Sequence, residues 1–183
     1  KKSKITSQRI RLFVPGETDA IIQVNYISPT GVFAPVGLDS LRVPAQKVVE
    51  VDLSDLPKDR LFALQVLASE PVIASVLTRG QFNNQRELIW NSSVEATRGE
   101  RMALAERSGY LSIVSSAPKV SFTVVKDRGK RSTVTLPVDA MAIWKVSDTV
   151  REIQFQANAE PTYLALAIKS GSRSEEHTSE LQS

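Results

Sequence analysis

Short apolar runs that alternate with polar residues and stop at turn residues about every ten positions set the strongest limit on the fold of this chain. Residues 10–14 read Ile-Arg-Leu-Phe-Val and meet Pro15-Gly16; residues 21–27 end at "SPTG". Residues 41–43 and 48–53 flank Pro44, while 61–67 and 72–77 flank "SEP". Each run spans a strand length, is rich in β-branched residues and has a period near two. That pattern buries one face of an antiparallel sheet and solvates the other. Helix evidence is thin. Val94 to Arg107 contains helix-favouring residues, but Gly99 interrupts it and no capping box opens it, so it reads as a linker running into the next strand.

The pattern then repeats. "RLFVPGETDAIIQV" from Arg11 and "YLSIVSSAPKVSFTV" from Tyr110 share a strand, turn, strand layout at an offset of 99. "VPAQKVVEV" from Val43 matches "LPVDAMAIW" from Leu136 at an offset of 93, and Pro71 matches Pro161 at 90. Three pairs in one order, with a falling offset, indicate two similar modules, the second with shorter loops. The expected fold is all-β with little helix: two tandem antiparallel β-sandwiches of immunoglobulin-like type. The expected boundaries are a truncated linker at 1–7, sandwiches at 8–95 and 101–170, a linker at 96–100, and a tail at 171–183. Within each module the last two strands are expected to form a hairpin around Ser69-Glu70-Pro71 or Ala159-Glu160-Pro161.

The tail, "RSEEHTSELQS" from Arg173 to Ser183, resembles one translated frame of a common sequencing adapter and reads as an artefact, which would make the chain a fragment of a metagenomic reading frame. It holds the single histidine, His177, so no catalytic or metal role is assigned to that residue. Leaving out Arg173, Glu175, Glu176 and Glu180 raises the formal net charge from +3 to +5. That balance, with 6% aromatic residues, lacks the basic stripe and stacking platforms of a nucleic-acid binder. Zero cysteines exclude disulfides, thiol catalysis and Cys-type zinc sites. No apolar run reaches the ~18 residues of a membrane-spanning helix.

"RLFVPGETDAIIQVNYISPTGVFAPVGLDSLRVPAQKVVEVDLSDL", followed by "ALQVLASEPVIASVLTR", resembles a family of exported, uncharacterised actinobacterial proteins. The resemblance runs from about Arg9 to Ile168, by layout more than by residues in the second half. It implies β-rich domains, an extracytoplasmic location, and membrane attachment only through an anchor or signal upstream of this sequence. It implies no activity. The chain departs from the family pattern at "PAQK", 44–47, where a Gly-containing turn is usual, so that turn is expected to differ.

Chemistry-bearing groups are sparse. No S-x-x-K elbow or Gly-rich phosphate loop is present, and no cofactor is expected. Glu17 with Asp19 is the nearest carboxylate pair, but a solvated turn with Asp19 bonded to backbone N–H groups accounts for it better than glycosidase chemistry. Asp52, Asp55 and Asp59 lack calcium-loop spacing. Two features carry functional expectations. In "KDRGKR", 126–131, a tight turn at Asp127-Arg128-Gly129 would gather Lys126, Arg128, Lys130 and Arg131 at a tip able to contact anions. Trp90 reads first as a buried contact between the modules; as a stacking platform for a sugar ring it would need Tyr26 and Phe82 grouped with it on one exposed face. Trp144 is expected at the core edge. The resulting expectation is a non-catalytic structural or interaction module of a secreted or membrane-anchored bacterial cell-envelope protein. Its partner would be a cell-wall polymer or another envelope protein, with a carbohydrate-binding module as the alternative.

Overall fold

The computed structural model describes residues 4–57, 61–82, 85–104, 108–156 and 160–169, without the side chains of 82, 168 and 169. Two compact units emerge, one of Lys1–Ile27 and Val32–Ser93, the other of Ser28–Gly31 and Val94–Ser183. The architecture is all-β, and the strands pair antiparallel. The 171–183 tail lies outside the described residues.

The first unit contains β1 (Lys4–Phe13), β2 (Ala20–Ser28), β3 (Gly31–Phe33), β4 (Leu41–Val43), β5 (Val48–Asp52), β6 (Ala63–Ala68), β7 (Ile73–Phe82) and β8 (Gln85–Ser92). One sheet runs β5-β1-β7-β8; in the other, β2 is flanked by β4 and β6 and also pairs with β3. Strict alternation on β1 sends Ile10 and Leu12 inward, where they are almost wholly buried, and Arg9 and Arg11 outward. They meet Ala20, Ile22 and Val24 of β2 in a core that both sheets share. Each such side chain contributes about 1.5–3 kcal/mol by leaving water. Residues 4–7, expected as a linker, belong to β1: Lys4 pairs with Gln81 and Ile5 with Gly80, and a bulge follows before Ser7.

The second unit contains β9 (Arg101–Ala103), β10 (Ser108–Ser115), β11 (Lys119–Lys126), β12 (Arg131–Pro137), β13 (Ala140–Val146), β14 (Val150–Phe155) and β15 (Thr162–Lys169). Its sheets run β13-β10-β15 and β12-β11-β14-β9. Phe122 lies at the centre of the core, against Phe155 at 4.9 Å and edge-on to Trp144 at 5.2 Å, centroid to centroid. Trp144 is therefore a core-edge residue, as expected.

The internal repeat reappears in the pairing. β1 takes β5 and β7 as neighbours just as β10 takes β13 and β15, and β2 takes β4 and β6 just as β11 takes β12 and β14. The extra strand differs: β8 extends the β1 sheet in one unit, and β9 extends the β11 sheet in the other.

The hairpins expected at the two prolines do not form. β6 pairs with β2 whereas β7 pairs with β1 and β8; likewise β14 pairs with β11 and β9 whereas β15 pairs with β10. At Pro71 and Pro161 the chain crosses from one sheet to the other. Proline offers no N–H to a ladder, which suits a crossing point as well as a hairpin end. At the second crossing, buried Ser115 and Thr162 bond hydroxyl to hydroxyl at 3.0 Å, and the Ser115 hydroxyl also donates to the Pro161 carbonyl at 3.2 Å.

The 44–47 turn holds a non-glycine residue in a conformation that favours glycine. Gln46 takes φ 56, the left-handed conformation that a glycine would hold more cheaply, while its N–H donates to the Val14 carbonyl at 2.8 Å.

Candidate functional site

Strands β11 and β12 form a hairpin whose last strand pair is Val125 with Arg131. The Lys126 N–H donates to the Lys130 carbonyl at 2.8 Å, which closes a loop of three residues, Asp127–Gly129. Gly129 takes φ 73, as its place in the sequence suggested, and Arg128 is left-handed too, at φ 59 and ψ 22. Only the surrounding hydrogen bonds can hold an arginine there, since the conformation costs about 1–2 kcal/mol. The loop's base is fixed from β14 and the turn before it. The Asp127 N–H donates to the Thr149 carbonyl at 3.0 Å, and the Arg151 guanidinium, itself donating to the Asp148 carbonyl at 2.6 Å, reaches the Asp127 carboxylate at 2.5 Å.

Lys126, Arg128, Lys130 and Arg131 all lie at this hairpin tip, and all are exposed. Among the described residues none of the four pairs with a carboxylate, because the adjacent acid, Asp127, is engaged by Arg151. Four exposed cations on one hairpin tip favour an anion presenting several oxygens. Sequence reasoning missed Arg151. It lies twenty residues past the tip, and only the β11–β14 register, with Lys126 opposite Val150, brings it near.

Trp90 sits on β8, 46% exposed and opposite Leu77 of β7. The Arg11 guanidinium lies over its ring at 5.2 Å from the centroid, a cation–π contact that covers one face. Arg11 and Arg9 both donate to the Glu50 carboxylate, Arg9 at 3.3 Å. The aromatic platform expected around Trp90 does not assemble. Tyr26 is buried, stacked on Phe62 at 5.0 Å and tilted against Phe33 at 4.9 Å, and the Phe82 side chain lies outside the described residues.

Two of the remaining acids, Asp19 and Asp52, have structural duties. Asp19 accepts from the Ala45 N–H at 2.9 Å and from Arg42 at 2.7 and 2.9 Å, so Asp19 anchors its turn. Asp52 accepts from the Ser54 N–H at 2.7 Å, closing a local turn; Asp59 lies outside the described residues. No group of three or more His, Cys, Asp or Glu able to hold a metal occurs among the described residues, nor does a helix long and apolar enough to cross a membrane.

Residues 2–146 match the model of a family of unknown function, DUF5719. The chain belongs to DUF5719. No curated protein and no solved structure matches it. In this DUF5719 chain the matched stretch includes both Trp90 and the 126–131 tip; β14 and β15 lie beyond it.

Two carboxylates of the DUF5719 fold titrate below their ordinary values. Asp19 is held under 3.8, first by the Ala45 N–H and then by Arg42; Glu50 is held under 4.5, chiefly by the Arg11 hydrogen bond. A carboxylate whose folded pKa is depressed adds stability above its unfolded pKa, and that stability is lost as pH falls through the folded value. The melting temperature should therefore stay level above about pH 5 and decline toward pH 3. In Asp19→Asn the decline should be shallower, because that carboxylate no longer takes up a proton on unfolding. Thermal melts across pH in low salt measure it, and identical slopes for the two proteins would refute it.

Proposed function

We propose that this chain is a non-catalytic interaction module of an exported bacterial cell-envelope protein, and that its 126–131 hairpin contacts an anionic cell-wall polymer. The observation that carries the reading is the pairing pattern at the tip: Arg151 takes up Asp127, leaving four exposed cations with no carboxylate partner among the described residues. A surface whose only task is solubility gains from interspersed signs, whereas several cations free of carboxylate partners favour a multivalent anion. Stacking of a neutral sugar has weaker support, with Tyr26 buried and one face of Trp90 under Arg11.

Co-sedimentation with purified actinobacterial cell wall rich in phosphate polymers tests the reading. The chain should pellet at about 50 mM salt and be released by about 500 mM, as contacts between exposed charges are screened. Replacing the tip by Lys126→Gln, Arg128→Asn, Lys130→Gln and Arg131→Gln should weaken binding about tenfold or more, the combined contribution of four exposed charge contacts. Asn is chosen at 128 because it tolerates the left-handed backbone. Pelleting that is absent at low salt, or indifferent to the fourfold replacement, would remove the proposal.

A further inference from the structure

Strand β14 breaks its ladder beside the hairpin tip. Val125 pairs with Glu152 but Lys126 pairs with Val150, so β14 takes three residues where β11 takes two, and the extra one is Arg151. Alternation running back from buried Ile153 would turn Arg151 toward the core, where its charge would be costly. With the extra residue, Val150 and Ile153 are both buried, and Arg151 and Glu152 both stay half-buried at the surface. Bulges re-aim side chains in this way, often next to functional sites. The re-aimed guanidinium donates to the Asp148 carbonyl at 2.6 Å and reaches the Asp127 carboxylate at 2.5 Å. The Asp127 backbone has a separate anchor, its N–H on the Thr149 carbonyl at 3.0 Å. What Arg151 fixes is therefore the direction of the Asp127 carboxylate more than the place of Asp127 in the loop.

We infer that Arg151 is a positioning residue for anion binding: it does not meet the anion, but keeps Asp127 from competing for the tip cations. The inference rests on the reading of the 126–131 tip as an anion contact. Asp127 stands between Lys126 and Arg128 in sequence, and its side chain is 45% exposed. Released from Arg151, its carboxylate can turn to a tip cation while the Thr149 bond still holds its backbone. An acid carried on the same loop competes at high effective concentration with any group that arrives from solution. Glu152, opposite Val125, is likewise engaged, by Arg101 at 3.9 Å and by the Gln154 amide at 2.8 Å. A pair as exposed as Arg151–Asp127 contributes little to stability, so the fold alone gives weak reason for the bulge. Control of one carboxylate beside four cations gives a better one.

A double-mutant cycle on the full chain tests this, read as the apparent Kd for the same purified cell wall at about 50 mM salt. Methionine at 151 keeps much of the arginine stem but cannot donate to Asp127. Arg151→Met should weaken binding about three- to tenfold, and adding Asp127→Asn should bring it back to within about twofold of the unaltered chain. Asp127→Asn alone should change binding less than about twofold, because Arg151, still bonded to the Asp148 carbonyl, already keeps that acid from the tip. Arg151→Met and the double replacement should melt alike, so that the return of binding is not a return of stability. Three results would overturn the inference: unaltered binding in Arg151→Met, a double replacement that stays as weak as Arg151→Met, or equal gains from Asp127→Asn in both backgrounds. The second marks a purely structural arginine and the third a simple effect of net charge. In all three the tip reading survives, since it stands on binding by the unaltered chain and its loss on the fourfold replacement. A chain that does not pellet at all removes both.

Discussion

Replacing Phe122 with alanine should destabilise the second unit by about 3–5 kcal/mol, the largest effect expected of any single substitution considered for this protein. Phe122 is 2% exposed and lies at the centre of a core drawn from both sheets of its unit. Its ring touches Phe155 and meets Trp144 in a T-shaped contact, so truncation removes transfer free energy and also leaves a void between two aromatic neighbours. Strands fixed by ladders on both sides cannot close such a void as a loop could. Urea titration followed by tryptophan fluorescence would measure the loss, since Trp144 reports the site directly. A loss under about 1 kcal/mol would mean that the site collapses freely and that the packing described for it is wrong.

The second large effect is polar. Ser115→Ala should cost about 1–3 kcal/mol, because it leaves the buried Thr162 hydroxyl and the Ala117 N–H without the oxygen they now share. The corresponding places in the first unit indicate a remedy. Val72 follows Pro71 as Thr162 follows Pro161, and Val14 follows Phe13, the β7-paired end of β1, as Ser115 follows Val114 in β10. Both valines pack in or against the first core. An apolar pair therefore serves one unit where a hydroxyl pair serves the other. Combining Ser115→Ala with Thr162→Val should then destabilise less than the sum of the single replacements, because removing both partners leaves fewer buried groups unsatisfied. Chemical denaturation of the four proteins tests it, and strict additivity would argue against the coupling.

The strands were legible because alternation encodes which face is buried, and the core demanded that alternation at Ile10, Leu12, Leu111 and Ile113. The repeat was legible for the same reason, although its register was not. The partners of Ile73 and Tyr163, which sit two residues past the matched prolines, are Phe13 and Val114, and these lie two residues further apart than the offset of 99. What alternation cannot encode is the partner of each strand. The segments at "SEP" and "AEP" look like hairpins because a turn joins two strands, yet the core is built by sending those strands to opposite sheets. The same blindness hid part of the candidate site. Asp127-Arg128-Gly129 announced a tight turn through a local backbone requirement, whereas Arg151, which engages the loop's only acid, reaches it through a cross-strand register. Trp90 read first as a buried contact yet is 46% exposed, and Arg11 above it belongs to a strand nearly eighty residues earlier.

Two neighbouring modules with one strand order face a hazard during folding, since a strand from one can dock in the other's vacancy. The contrast at the two crossings works against that error. Were β7 to take the place of β15, Val72 would come opposite Ser115 and strip that hydroxyl of its Thr162 partner; the reverse exchange would press the Thr162 hydroxyl against Val14. Each wrong assembly forfeits the hydroxyl-to-hydroxyl bond that the right one makes, so the chemical divergence of two geometrically equivalent positions acts as a proofreading mark on the chain's own repeat.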